Sequence, residues 1–442
     1  MNRQRLRILV PSASPWSVTN SFGNTYSTIF GSLRAVEISS IYCGDGAPDP
    51  GAVMRAFQLT DSSVLRNVVD PQHPAGRRID TSQGVGTPTQ SESALENVVR
   101  WFHAHRFYAY GIARYGRGLI WKVGRWRSPA LLQFIEESQA DIILCPIYYS
   151  DHLLELARIV KDVSGVPMVG YVSDDVYSLR QFSLSPIFWI ERFHKRRLIR
   201  QLVARCEWIY VVSDVQKADY ERQLGVECRV LTKLGEFSDR SLPLARSVSP
   251  DGMVVFTYAG NIGNERWRSL AQLGKAIAEV NRQGMHARLD IYTMTPLTSR
   301  MRRALLIEGA VYVHHAVGRN GLNEVYAESD VLVLVEPTGL RGRLSVRHSL
   351  STKVIEYMEA GRCMFAFGTQ DMASISYLHE NRVALTATPA DDLASLIAQL
   401  VSDRSLREEY ALNAWRLGLE RHDQTTVGAR VRDELRSLLE DG

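Results

Sequence analysis

The chain has 442 residues, more than one hydrophobic core usually supports, so two domains are the default. With 45% hydrophobic and 23% charged residues it has the balance of a globular protein, not a disordered or collagen-like one. A net charge of +4 is too small to argue for nucleic-acid binding, and five scattered cysteines without CxxC or Cys/His spacing point to a reduced, cytoplasmic setting with no metal centre.

Leu6 to Val10 is predicted to be a buried strand. The basic start before it lacks the long apolar core and cleavage site of a signal peptide. No run of about 18 apolar residues occurs, so no spanning helix is expected. Pro11 to Gly23 is a polar loop, rich in Ser, and Thr25 to Leu33 a short helix. Strand, polar loop with glycine, helix is how a doubly wound domain opens, and such domains bind ligands at strand ends. Val36 to Cys43 is a second strand. Asp70 to Glu92, dense in Pro, Gly, Ser, Thr and Gln, is expected to be loop.

Trp101 to Arg127 holds eight aromatic residues, six Arg or Lys, and no acid. That pairing suits a membrane–water interface, where rings sit among headgroups and cations meet anionic lipid. It would also suit stacking on nucleic acid, which the low net charge disfavours, or a partly buried helical pair with a basic rim.

Ser128 to Gln139 is expected to be a helix, Asp141 to Cys145 a strand, His152 to Val163 a helix and Val166 to Val172 a strand. That last strand runs into Ser173-Asp174-Asp175. Carboxylates at such a strand end can orient a hydroxyl or act as general base, or simply cap the next segment. Ile187 to Arg205 is a basic helix with Phe188, Trp189 and Phe193 interleaved, able to extend the surface around Trp101. Trp208 to Ser213 and Cys228 to Leu231 are further strands. Glu236 to Gly252 has no periodicity and two prolines, and is expected to be the interdomain linker.

A second α/β domain opens with the strand Val254 to Gly260, a loop from Asn261 to Arg266, and a helix reaching Arg282. Strands are expected at Leu289–Thr293, Val311–Val317 and Val331–Glu336, a helix at Gly321–Glu328, and a long loop from Thr338 to Leu350. In Ser351-Thr352-Lys353-Val354-Ile355-Glu356-Tyr357-Met358, the apolar positions recur at helical spacing, with Ser351 as N-cap and Gly361 as stop. Lys353 then lies in the first turn, where the helix dipole disfavours a cation. A bound anion would resolve that conflict, and Glu356, on the same face, could accept a diol. An ordinary surface Lys–Glu pair is the plainer alternative. Cys363 to Phe367 is a strand, and helices are expected at Ala390–Val401, Ser405–Leu419 and Thr425–Leu439.

Tyr258-Ala259-Gly260-Asn261-Ile262-Gly263, followed by Ser351-x-Lys353-x-x-Glu356-Tyr357-Met358-x-Ala360-Gly361, resembles the donor-binding half of GT-B glycosyltransferases, and within them family 4 with its capsular and O-antigen polysaccharide members. The resemblance covers Val254 to Leu419. It implies two Rossmann-like doubly wound domains with a cleft between them. Residues 1–235 would face the acceptor, 236–252 link, 253–420 bind the nucleotide sugar, and 421–442 pack back on the first domain. It also implies that Lys353 meets the diphosphate and Glu356 the ribose. Gly260, Asn261 and Arg266 would form the phosphate loop, and Val317 would end the strand that meets the base. Gly23 would give the first-domain loop room beside the donor.

The pattern is broken in three places. His348 stands where many relatives have a glutamate near the donor sugar. Asp174 and Asp175 stand where many have a histidine. Asn261 stands where many have an arginine, a charge Arg266 could restore. The resemblance implies a glycosyltransferase, retaining and metal-independent, without a cofactor beyond its nucleotide diphosphate sugar donor. Its acceptor would be a growing, lipid-linked glycan, and its place peripheral on the inner face of the membrane. The rival readings are a nucleotide-sugar 2-epimerase and a non-catalytic partner subunit. A dehydrogenase is excluded because no GxGxxG follows a strand.

Overall fold

A computed structural model describes residues 5–31, 36–81, 118–238, 240–243 and 252–440. In the first domain, β1 (Leu6–Ser12), β2 (Val36–Tyr42), β3 (Arg55–Leu59), β4 (Gly76–Ile79), β5 (Ile142–Pro146), β6 (Met168–Val172), β7 (Ile209–Val211) and β8 (Cys228–Val230) form one sheet. Its order is β4-β3-β2-β1-β5-β6-β7-β8, parallel throughout except for the β3–β4 pair. The second sheet contains β9 (Val254–Ala259), β10 (Ala287–Thr293), β11 (Val311–His315), β12 (Val331–Val335), β13 (Cys363–Phe367) and β14 (Leu385–Ala387). It runs β11-β10-β9-β12-β13-β14, all parallel.

The near-continuous apolar runs of β5, β9, β12 and β13 follow from this topology. A parallel strand flanked by helices is buried on both faces, so its pattern does not alternate. Each sheet accordingly carries a core on either side. In both domains the strand order reverses next to the first strand, between β1 and β5 and between β9 and β12. Those switch points are where open α/β sheets form binding crevices.

The expected two doubly wound domains are present, and the differences are local. The first helix is Ser21–Phe30, four residues earlier than the periodicity suggests, because Asn20 caps it by accepting the Gly23 amide at 2.8 Å. β3, β4 and the helix Asp61–Val69 occupy a stretch without clear period, and β4 lies inside the predicted 70–92 loop. The predicted 338–350 loop contains the helix Leu340–Val346, and a further helix, Ala373–Glu380, precedes β14. Of the aromatic-basic segment 101–127, residues 101–117 lie outside the described residues. In the rest, Trp121 and Trp126 are core, not surface: their indoles donate to Asp61 Oδ1 and to the Trp121 carbonyl. Among the described residues no helix is long and apolar enough to cross a membrane.

The chain crosses between the domains twice. The helix Arg404–Arg421 packs Ala414, Trp415 and Leu417 on the second sheet, and Gln424–Ser437 then packs Val427, Val431 and Leu435 on the first. Asp423 sits at that crossing. It caps the last helix through the Thr426 amide and accepts the amides of Phe237 and Ser238 from the other crossing strand.

Candidate active site

The switch point of the second sheet places Gly260, after β9, beside Glu336, after β12. Gly260 has φ +148°, and a Cβ there would lie 2.4 Å from Lys353 Cε and 2.7 Å from its Nζ. Glycine is therefore required twice, for the backbone and for the lysine that lies across it. Lys353 comes from the first turn of the helix Thr352–Glu359, and its Nζ stands 5.8 Å from the Tyr258 ring centroid. Ser351 is the N-cap residue, as the sequence suggested, but its hydroxyl makes no capping bond. An unmade cap leaves the positive helix end facing the same space as the ammonium.

Burial lowers the Lys353 pKa below the ordinary lysine value, and the nearby Arg266 charge lowers it further, against the pull of Glu356 and Glu336. Arg266 begins the next helix and donates to Glu336 Oε2 at 2.8 and 3.2 Å, so its charge is already partnered. Burial raises the Glu336 pKa, and Arg266 opposes that. The two residues before this helix, Asn264 and Glu265, hold left-handed φ values of 49° and 68°, an uncommon pair that fixes a tight turn at the helix start. Asn261 accepts the Gly263 amide at 2.6 Å and the Thr295 hydroxyl at 3.1 Å, so its side chain shapes this loop.

Glu356 is not alone on its face. Lys233, from the segment leaving the first domain, donates to its Oε1 at 2.5 Å. A carboxylate has capacity for more than one donor, so a diol could share it. Val317 lies two residues beyond the end of β11 and is 39% exposed. Gly23 serves the protein itself: a Cβ there would come within 2.2 Å of the Ser17 carbonyl oxygen, so the space above it is filled by its own loop.

Across the cleft the first-domain acids divide. Asp174 is exposed and accepts from Ser349 Oγ at 3.3 Å. Asp175 is buried, accepts from the Ser178 amide at 2.8 Å, and lies 3.7 Å from Arg192 and 3.5 Å from His348 Nδ1. Nε2 of His348 bonds Asp219 at 2.8 Å, and the His348 carbonyl accepts from Ser213 Oγ. His348 thus enters from the second domain into an acidic socket of the first, and is 1% exposed. This is a clasp between domains rather than a side chain aimed at an open cleft. Asp174 and Ser349 remain at its edge.

Lys233, Glu336 and Asp219 belong to this region and were not singled out from sequence. Glu336 carried a signal, an acid directly following the apolar run Val331–Val335. The others did not, since their roles arise only when the two domains meet.

With this geometry in hand, residues 254–403 match the family described as Glycosyl transferases group 1. Solved structures share the whole architecture. Anabaena HepE in complex with UDP has a TM-score of 0.61 at 13% identity, covering 98% of this chain and 100% of that one. Sucrose-phosphate synthase from Thermosynechococcus elongatus has a TM-score of 0.60 at 13% identity, over 99% and 100%. WaaG, described as a glycosyltransferase involved in lipopolysaccharide biosynthesis, has 0.56 at 12%, over 97% and 99%. No curated protein sequence matches the chain significantly. The chain has the GT-B fold, and its second domain carries the group 1 glycosyltransferase pattern.

Gly260→Ala is expected to abolish measurable nucleoside diphosphate binding while leaving a folded protein. The new methyl displaces Lys353, and the backbone strain is on the order of 1–3 kcal/mol. Calorimetric titration with UDP checks this, and affinity equal to the parent's would show that Lys353 does not need to lie across Gly260.

Proposed function

We propose that the protein transfers a sugar from a nucleoside diphosphate sugar to a growing, lipid-linked glycan at the inner face of a membrane. One observation carries the reading: Lys353, from the uncapped start of the Thr352–Glu359 helix, lies across Gly260 at the switch point, with the Arg266 charge near enough to lower its pKa. Preorganised charge of this kind stabilises a leaving diphosphate, the task a divalent cation performs elsewhere, so no metal is required. Glu356 would take the ribose while Lys233 holds its other side. Asp174, the exposed acid of the strand-end pair, would orient the acceptor hydroxyl beside Ser349. Retention of configuration is carried over from the resemblance of the Lys353–Glu356 motif. HepE is seen with UDP and with UDP-glucose, which makes UDP the first nucleotide to try.

In a thermal-shift assay, UDP at about 100 times its Kd is expected to stabilise the protein by about 2.7 kcal/mol, equally with and without EDTA. No shift with any nucleoside diphosphate would remove the donor site from this place. A specific observation favours the non-catalytic reading: His348 and Asp175 neutralise each other instead of facing substrate. If UDP binds through Lys353 yet no UDP-sugar is ever consumed, with or without acceptor, that reading takes over.

A further inference from the structure

The helix Pro186–Val203 is arranged against expectation. Its inward face buries Arg192 (4% exposed) and Lys195 (6%) beside Ile199, Leu202 and Val203, while Ile187, Ile190 and Phe193 are 58%, 70% and 57% exposed. The helix cannot simply roll to correct this. Arg192 donates to the Ser178 carbonyl at 2.9 Å, Lys195 meets Asp151 at 2.6 Å, and Arg196 stacks on Tyr177 at 3.9 Å. Half a turn of rotation would break all three and take Arg192 away from the buried Asp175 carboxylate, 3.7 Å from it.

The segment before the helix continues the same surface, with Leu179, Phe182 and Leu184 at 41%, 50% and 89% exposure. Trp189 pins this segment to the helix by donating to the Ser183 carbonyl at 3.0 Å. Six of the nineteen large apolar side chains exposed among the described residues thus fall within 179–193, a concentration that scattered surface apolars do not show. Nearby, Leu119 and Val123 are 62% and 58% exposed on a turn of helix whose Trp121 stacks on His152 at 4.3 Å. Asp151, next to that histidine, is the partner of Lys195.

Charge selects the occupant. Arg180, Arg197 and Arg200 are exposed around the apolar stretch. The outward positions Ile190, Phe193, His194 and Arg197, three to four residues apart, include no acid. The neighbouring Asp151 and Asp219 already meet Lys195 and Arg222. We propose that residues 179–197 form a docking surface for an anionic lipid bilayer, with the apolar side chains entering the acyl boundary and the guanidinium groups meeting headgroup phosphates. This rests on, and locates, the membrane-side acceptor of the transferase reading. The surface begins four residues after Asp175, so docking would bring the first-domain side of the cleft to the headgroups.

The test is sedimentation with vesicles of phosphatidylcholine alone and of phosphatidylcholine with phosphatidylglycerol, with UDP thermal shift measured on the same samples. The parent is expected to pellet with phosphatidylglycerol vesicles, and to be released as salt rises from about 0.1 M to about 1 M. Ile190→Ser with Phe193→Ser, and separately Phe182→Ser with Leu184→Ser, should each reduce the bound fraction roughly tenfold. Arg197→Glu should weaken binding to the anionic vesicles most. All variants should keep the UDP shift, since none lies near Lys353, so loss of donor binding and loss of docking are read apart. The proposal is overturned if the parent stays in the supernatant, if the variants pellet as the parent does, or if the parent is a dimer that the serine variants convert to monomer.

Discussion

Lys353→Ala is expected to weaken binding of UDP or another nucleoside diphosphate by on the order of 1.5–3 kcal/mol, the worth of a charge-assisted hydrogen bond. Folding should change little. Within the protein the ammonium is already disfavoured by burial and by Arg266, and Glu336 keeps Arg266 as its partner when the lysine is gone. The free energy lost is therefore that of the complex. Lys353→Arg should not rescue, because Gly260 leaves no room for a wider group across it. Because the lysine pKa is lowered, parent affinity should begin to fall at a less alkaline pH than for an ordinary lysine, and the alanine variant should lack that limb. Glu356→Ala differs in kind. It also strands Lys233, which is buried and reaches Glu356 across the domains, so it should lower Tm as well as affinity. Calorimetric titration across pH, with Tm measured for each variant, checks the set. A Lys353→Ala protein that binds as tightly as the parent would place the nucleotide elsewhere.

The readable part of this protein was the part written locally. Both sheets announce themselves in uninterrupted apolar runs such as Val331–Val335 and Cys363–Phe367, because a doubly covered parallel strand has no polar face to display. Lys353 was visible because a cation in a first helical turn breaks a local rule, and Gly260 through the motif that resembles the GT-B donor half. β3 and β4 were hidden for the opposite reason: Arg and Gln interrupt the apolar positions of β3, and β4 is a four-residue edge strand with two arginines. Interdomain partners were beyond reach. Nothing around Lys233 or Asp219 reveals that Glu356 and His348 will arrive from more than a hundred residues away. His348, read as a replacement near the donor sugar, is instead held between two first-domain acids, Asp175 and Asp219. Burial of Trp121 and Trp126 likewise shows that aromatics beside cations do not by themselves distinguish a surface from a core rim. The exposed apolar residues of 179–193 were harder still, because the helix that carries most of the cations turns several of them inward.

His348→Ala is expected to destabilise the docking of the two domains by about 3–5 kcal/mol, the usual result of removing one partner from a buried ion cluster. Asp175 and Asp219 would face each other's field without the imidazolium, with Arg192 3.7 Å from the first, and with Arg180 at 3.9 Å and Arg222 beside the second. Tyr220 and Ser178 bond Asp175 but bring no charge. The pH dependence has a definite sign. Burial alone would lower the His348 pKa, but Asp175 and Asp219 raise it above the ordinary histidine value of 6.5. A group whose pKa is raised on folding contributes fully below its unfolded value, and that contribution is lost as pH rises through the folded one. Burial alone would raise the Asp175 pKa, yet the nearby His348 and the hydrogen bonds from Ser178 hold it well below the carboxylate range. Its contribution is therefore present above its unfolded value and lost only in strong acid. The clasp should be firmest in mildly acidic solution and loosen on the alkaline side. The Tm difference between parent and His348→Gln should be largest near about pH 6 and shrink towards about pH 9. Asp175→Asn added to His348→Gln should cost less than the two separate losses combined, because the second change removes a carboxylate the first left unpaired. A Tm difference that stays constant over that pH range would mean that His348 is neutral in its socket and that the two acids are balanced by the arginines alone.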